Sequence, residues 1–469
     1  MKTLPHVEAT PEQLPIISGN NLGVEVIRGA AGSGKTSTAL LRLRSLLYMF
    51  EARKRRQADS TPVRVLVLTF NKTLSGYVSA LADAQVEALH AVIEIKTFSK
   101  WAVNVLNDVR IIAKAADVHL NGLISLAEIG SLSQEYLKKE VDYILGRFKP
   151  TQLDEYIRTE RTGRGTQPRV ERTLRREILD EIVIPYLAWL DAQNGVDWNG
   201  LAVKMAQTDG SMGYDIVIVD ESQDFSANQL RAIGRHLAAN HALTFVIDTA
   251  QRIYARGFTW LEAGFEVRKD GYHTLRANHR NTKQIAAFAL GVLTGLSVDS
   301  DGALPNLKSA EREGSLPVVL RGIYRNQLGW AINFIRTSVD LESESVAFLY
   351  PKSGDWVDYT KSSLQRAGLG FAEITRESEW PSGPENIALC TFHSSKGLEF
   401  DYVFILGLSE KNTDSPDLES DDELLVLRRL LAVAVARARN QVVLGYKPGE
   451  ESKLVDFFRA GTFTEEDVP

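Results

Sequence analysis

Two short stretches of this 469-residue chain carry residue types whose spacing suits chemistry on a nucleoside triphosphate. In the first, an apolar run ending at Arg28 leads directly into Gly29-Ala30-Ala31-Gly32-Ser33-Gly34-Lys35-Thr36, a G-x-x-x-x-G-K-T pattern. Glycines at these positions let the backbone turn tightly, so that successive N–H groups face phosphate oxygens. The helix expected over 37–48 offers its positive end to the same anion. Lys35 would neutralise the β- and γ-phosphates and Thr36 would hold Mg²⁺, with Gly29, Gly32, Gly34 and Ser37 completing the cradle. An ordinary glycine turn is the plainer reading, but it has no need of a strand before it and a helix after it. Phosphate binding alone leaves kinases, transporters and GTPases open. The second stretch narrows the choice: the apolar run 214–219 delivers Asp220 and Glu221, followed by Ser222, Gln223 and Asp224. Two adjacent carboxylates at a strand end suit metal-assisted hydrolysis. Asp220 would hold Mg²⁺ through water, and Glu221 would orient and deprotonate the attacking water.

The elements that position these groups follow from the apolar runs. Among those at 24–28, 63–70, 92–98, 214–221 and 243–248, several are nearly continuous Val, Ile and Leu, as strands covered on both faces of a parallel sheet are. Helical patterns between them give an α/β fold with a doubly wound sheet. Between about 101 and 212 that rhythm stops, and the chain turns polar, charged and helical. A second series follows at 316–322, 346–350, 371–374, 387–391, 402–408 and 441–445, enough for a second α/β domain. The expected organisation is a first domain from 1–100 and 211–275, a helical insertion at 101–210, and a second domain at 276–469. The acidic stretch 414–423 reads as a solvated loop, and the tail after Phe463 is expected to fray.

Composition sets bounds without naming a function. Apolar residues make up 44% and charged residues 24%, the balance of a globular protein of more than one domain. No apolar run approaches the roughly 18 residues of a membrane span, and the N-terminus lacks a secretory core. Cys390 is the single cysteine, which excludes an internal disulfide and a cysteine-cluster metal site. A cytoplasmic location is the expectation. The net charge of −6 argues against coating nucleic acid by bulk charge, yet leaves room for a local basic groove.

The box DESQD at 220–224 resembles that of the UvrD/Rep-like superfamily 1 helicases, and further boxes follow in that family's order. Gln13 in TPEQ resembles its glutamine motif, implying an adenine contact. VLVLTFNK at 65–72 and IKTFSKW at 95–101 resemble its two DNA-facing motifs. FVIDTAQRIYARGF at 245–258 resembles the box whose glutamine, Gln251, senses the γ-phosphate. LRANHRNT at 275–282 places Arg280 on that phosphate. TFHSSKGLEFDYVFILG at 391–407 is the most specific match and implies a ribose contact at Glu399. RRLLAVAVARAR at 428–439 implies an arginine finger at Arg437. The resemblance implies two RecA-like domains with ATP between them, closing on ATP and relaxing after hydrolysis, and so a motor on single-stranded DNA of 3′→5′ polarity.

Departures from the family are also legible. His279 stands where a tyrosine usually stacks on adenine, Ser37 where an arginine usually follows the loop, and Ala432 and Ala436 replace a Tyr and a Thr of the final box. The base-stacking Trp expected after Tyr254 is displaced, leaving Phe258 or Trp260 as stand-ins or as core. Only about 110 residues separate Arg280 from Thr391, so the family's large second-domain insertion is expected to be absent, with no nuclease domain following. Phe70, Phe98, Trp101 and Tyr254 fall in or beside DNA-facing motifs, where a stacked base contributes about 1–3 kcal/mol, although each could equally be core. Thr69, Thr97 and His393 are implied backbone contacts. The inserted segment adds Arg158, Arg161, Arg164, Arg169, Arg172, Arg175 and Arg176, broken by glycines: a solvated face or a phosphate-binding surface, with Arg161 and Arg164 the candidate contacts. Two other readings stand beside the motor. One is a motor subunit dependent on a nuclease in repair or anti-phage defence, and the other a nucleotide-gated DNA-binding module that does not unwind.

Overall fold

The computed structural model describes residues 9–29, 33–69, 90–127, 129–130, 132–159, 170–248, 258–275, 278–295, 310–352, 354–375, 381, 383–395, 398–413 and 421–468. Six strands form the first sheet: β1 (Gly23–Gly29), β2 (Val63–Thr69), β3 (Ala91–Thr97), β4 (Tyr214–Val219), β5 (Leu237–Asp248) and β6 (Tyr272–Leu275). Their order is β3-β2-β4-β5-β1-β6, every neighbouring pair parallel. Because side chains alternate along a strand, Val65, Val67, Ile216 and Ile218 enter one apolar cluster while Leu66, Leu68, Val217 and Val219 enter another. Both faces are buried, which is why the runs read as continuous. Helix Lys35–Arg56 covers the first face with Leu40, Leu43, Leu47 and Phe50, and helices Phe98–Leu106, Trp198–Gln207 and Ala227–Arg235 cover the second.

A small pair, β7 (Asn278–Thr282) with β8 (Ala310–Arg312), precedes the second sheet. That sheet holds β9 (Val318–Arg321), β10 (Val346–Tyr350), β11 (Ala372–Ile374), β12 (Ile387–Thr391), β13 (Phe400–Ile405), β14 (Ala438–Tyr446) and β15 (Thr464–Asp467). The order is β11-β12-β10-β13-β14-β9-β15, again all parallel. The chain is thus α/β, with two RecA-like doubly wound sheets and a mostly helical insertion in the first. Among the described residues no helix is long and apolar enough to cross a membrane.

The structure departs from expectation in three places. The tail does not fray: β15 adds to the edge of β9, where Glu465 and Asp467 lie 3.7 and 3.8 Å from Arg321 and Trp330 Nε1 donates to Glu466 at 2.7 Å. Phe98 does not extend β3; Thr97 caps a helix there, its Oγ1 accepting from the Lys100 N–H. The insertion's own core is narrower than 101–210. Its cluster runs from Ala116 to Leu190, while the flanking helices Phe98–Leu106 and Trp198–Gln207 pack on the first sheet. Chain entry and exit touch at a neck, where Ile111 bridges Val196. Inside the insertion, residues Ile178–Val183 form a π-helical turn just before Pro185, whose missing N–H removes a rung of the regular ladder.

Candidate functional site

All strands of the first sheet run the same way, so their carboxyl ends share one edge, where ligands of open α/β sheets bind. Register aligns Thr97 with Thr69, Leu68 with Val219, and Asp248 with Gly29 along that edge. The Asp220 N–H donates to the Leu68 carbonyl at 2.9 Å, holding the DESQD turn against β2. Gly34 has φ +76°, the left-handed region, and starts the Lys35–Arg56 helix; a Cβ on Gly29 would lie 2.9 Å from the Leu275 carbonyl. Side chains are excluded at both glycines, as a phosphate cradle requires. Gln13 is buried against this loop, its Nε2 donating to the Gly34 carbonyl at 3.4 Å while Oε1 accepts from the Thr10 N–H at 2.9 Å. Lys35 is buried and Ser37 half-buried on the helix's first turn.

Thr36 and Asp220 come together from opposite ends of the domain, the hydroxyl donating to the carboxylate oxygens at 3.2 and 3.1 Å. Burial, and then repulsion from Glu221, push the Asp220 carboxyl up to about 7, against the pull of Thr36 and Lys35. Two buried carboxylates, Asp220 and Glu221, beside the Thr36 hydroxyl are a donor set that fits Mg²⁺. That ion keeps several waters and takes only one or two protein carboxylates. Glu221 adopts φ 50°, a left-handed backbone that costs a non-glycine residue about 1–3 kcal/mol and recurs at functional sites. Gln223 Nε2 donates to the Glu221 carboxylate. Gln223 belongs to the DESQD box, which assigns it no role by itself; the fold sets it on the candidate base.

In the second domain the structure gathers Arg280, Glu399 and Arg437 from three separate boxes. Arg280 pairs with Glu399 and donates to the Ala436 carbonyl at 3.5 Å, while Arg437, only 1% exposed, donates to the Leu398 carbonyl at 3.4 Å. Burial alone would raise the Glu399 carboxyl, but Arg280, with Arg439 and Arg437 beyond it, holds it below the usual carboxylate range. Asn281, next to Arg280 in the same box, is fully buried and donates to the Ala436 and Ala438 carbonyls at 3.1 and 2.6 Å, fastening the Arg280 box to the Arg437 turn. His279 lies on β7, but its side chain is outside the described residues.

The strand-facing expectations fare differently. Phe98 is 4% exposed and meets Trp101 and Phe225 edge-on at 5.7 and 6.4 Å, so it belongs to the core and offers no face to a base. Trp101 is likewise core, its Nε1 donating to Tyr214 Oη at 3.0 Å. Trp260 stacks on Phe245 at 4.4 Å. Thr69 is buried, Thr97 is engaged as a cap, and His393 is half-buried in the turn after β12. Arg175 is a structural clamp rather than a phosphate ligand, donating to the carbonyls of Tyr156, Ile157, Thr159 and Val170 at 2.9–3.4 Å. Gly32, Phe70, Arg161, Arg164, Gln251 and Tyr254 lie outside the described residues.

Thr36 meets Asp220 at the carboxyl edge of one doubly wound sheet, and the chain carries a second such sheet, a build of two RecA-like domains. The model of the UvrD/REP helicase N-terminal domain matches residues 10–263 and that of the UvrD-like helicase C-terminal domain residues 360–448. The chain belongs to the UvrD/Rep helicase family. It is 27% identical over 263 residues to a "Probable DNA helicase" of Mycoplasma pneumoniae, covering 51% of this chain and 47% of the relative. It is 41% identical over 64 residues, 13% of this chain and 10% of the relative, to the "ATP-dependent DNA helicase Rep" of Buchnera aphidicola. The match therefore spans half or less of these relatives' length. A solved C-terminal domain of a possible Lactobacillus DNA helicase is similar at 23% identity and a TM-score of 0.30, covering 40% of this chain and 99% of that one.

Proposed function

We propose that this chain is an ATP-driven motor that moves 3′→5′ along single-stranded DNA. The observation that carries the reading is the meeting of Thr36 with Asp220 at 3.1–3.2 Å, beside two glycines, Gly29 and Gly34, that leave no room for a side chain, and a strained Glu221. Thr36 and Asp220 would hold Mg²⁺, which would supply positive charge to offset that on the triphosphate. Lys35 neutralises the terminal phosphates, and Glu221, steadied by Gln223, orients the attacking water and takes its proton. Arg280 and Arg437 lie in the other domain, so turnover requires the two domains to close, and closure and release supply the step. Single-stranded DNA as the track and the polarity rest on family membership. The test is ATPase with and without single-stranded DNA or RNA, beside unwinding of 3′- and 5′-tailed duplexes. Strong, salt-sensitive stimulation by DNA and unwinding from 3′ tails are expected. Stimulation by RNA alone, or unwinding from 5′ tails alone, would sink the reading.

A further inference from the structure

Helix Ala227–Arg235 begins only two residues after the DESQD turn. That turn is itself fastened down: Ser222 Oγ donates to the Val246 carbonyl at 2.9 Å, and the Asp224 N–H donates to the Glu221 carbonyl at 2.9 Å. Two side chains of this helix reach into the insertion. Asn228, buried, donates to the carbonyls of Leu145 and Phe148 at 2.8 and 2.9 Å. Arg231 donates to the Arg147 carbonyl at 2.8 Å, to Asn228 Oδ1 at 2.6 Å and to the Glu262 carbonyl at 2.7 Å. The carbonyls of Leu145 and Arg147 end the insertion helix Gln134–Arg147, where no intrahelical donor is left and a cation is favoured. Glu262 closes the circle by pairing with Arg147 and accepting from the Thr259 N–H at 2.6 Å. Residues 259–262 directly follow the box that holds Gln251.

Three pieces therefore meet at one node: the helix leaving the Asp220–Glu221 turn, the segment leaving the Gln251 box, and the end of an insertion helix. Elsewhere the insertion's two chain connections meet at the Ile111–Val196 neck, so this node is a second, independent tie. We propose that Asn228 and Arg231 are positioning residues that tie nucleotide turnover to the placement of the helical insertion, so that the hydrolysis site and the insertion move as one body. The proposal rests on the motor reading above.

The test removes the tie and then restores it by other means. Asn228→Ala with Arg231→Ala should keep basal ATPase and the KM for ATP, since neither side chain touches the nucleotide edge. Stimulation by single-stranded DNA should fall at least about fivefold, the lower end of inter-site coupling. A Cβ built on Gly146 stands 3.1 Å from Ser226 Cβ, a few tenths of an ångström short of the roughly 3.5–4.5 Å that disulfides span. Adding Gly146→Cys and Ser226→Cys to the double variant should thus restore stimulation on oxidation and lose it again on reduction, the native Cys390 being buried. Should the double variant lose basal turnover, the milder Arg231→Lys, which keeps one donor, decides by the same ratio of stimulated to basal rate. Stimulation equal to wild type in the variants, or no recovery in the oxidised cross-link, overturns the tie alone. A wild-type chain that DNA does not stimulate overturns the motor reading and the tie with it.

Discussion

Replacing Arg42 by Met removes half of a buried ion pair beneath the phosphate loop. Arg42 Nη2 lies 2.7 Å from Glu25 Oε2, with side-chain exposures of 1% and 3%. Its Nη1 donates to the carbonyls of Ile16 and Gly19 at 2.7 and 2.6 Å, at the end of the short helix Leu14–Ser18 that follows Gln13. The two partners respond differently to burial. Burial outweighs the Glu25 charge and leaves the Arg42 guanidinium below its ordinary value. Burial raises the Glu25 carboxyl too, but His273, Arg42 and Asn21 converge on it and hold it low. The net worth of the pair is therefore small, and the cost lies in orphaning one partner. Breaking such a pair costs about 3–5 kcal/mol, whereas replacing both partners is often neutral. At about 2–4 °C per kcal/mol for a domain of 150–250 residues, Arg42→Met should lower the Tm by about 6–20 °C. Adding Glu25→Gln should recover much of that loss, because the amide leaves no buried charge. Loosening the helix beside Gln13 should also raise the KM for ATP more than that for GTP. Calorimetric scans of both variants, with ATP and GTP kinetics, check the chain of reasoning. A double variant melting as low as the single, or a single melting within 2 °C or so of wild type, refutes it.

Four further outcomes are expected. Glu221→Gln should bind ATP normally in a filter assay yet lose nearly all turnover, and Arg437→Ala should slow hydrolysis by about 10³–10⁵ if it acts as the finger. Arg161→Ala with Arg164→Ala should weaken DNA binding, leave basal ATPase intact, and reduce the slope of log K against log salt by about one unit for each phosphate no longer neutralised, measured by anisotropy titration. His236 accepts from the Met212 N–H at 3.2 Å and faces the Met205 carbonyl at 3.2 Å, and burial lowers its pKa, with the Met205 bond opposing and Arg235 assisting. Its contribution to stability is thus present above the unfolded value near 6.5 and is lost as pH falls below it. His236→Asn should shrink the Tm difference between pH 7.5 and pH 5.5, and an unchanged difference would clear this residue of the acid sensitivity.

Residue order alone determined the edge on which the proposed nucleotide site lies and the architecture around it. A strand, a glycine turn and a helix are local features, so Gly29, Gly34, Lys35 and Thr36 were legible without knowing what faced them. Asp220 and Glu221 were legible because an apolar run must end where its carboxylates begin. The continuous apolar runs likewise announced two parallel sheets, since a strand covered on both faces has no polar side to show. Tertiary structure decided which side chains were spent on holding the molecule together. Phe98 and Trp101 carry the composition of a base-stacking motif, and only the helix that starts at Thr97 turns both rings into the core. Arg175 sits in an arginine-rich run, but four carbonyls brought to it by the fold make it a clamp. Arg42 and Asn228 carry no local signal at all, because the groups they meet, the Glu25 carboxylate and backbone carbonyls, are distant in sequence. The acidic tail looked unpartnered until β9, more than a hundred residues earlier, presented a free edge and Arg321 beside it. Periodicity reports which residues want burial. Strand order and register, set by long-range pairing, decide where the chain brings partners to them.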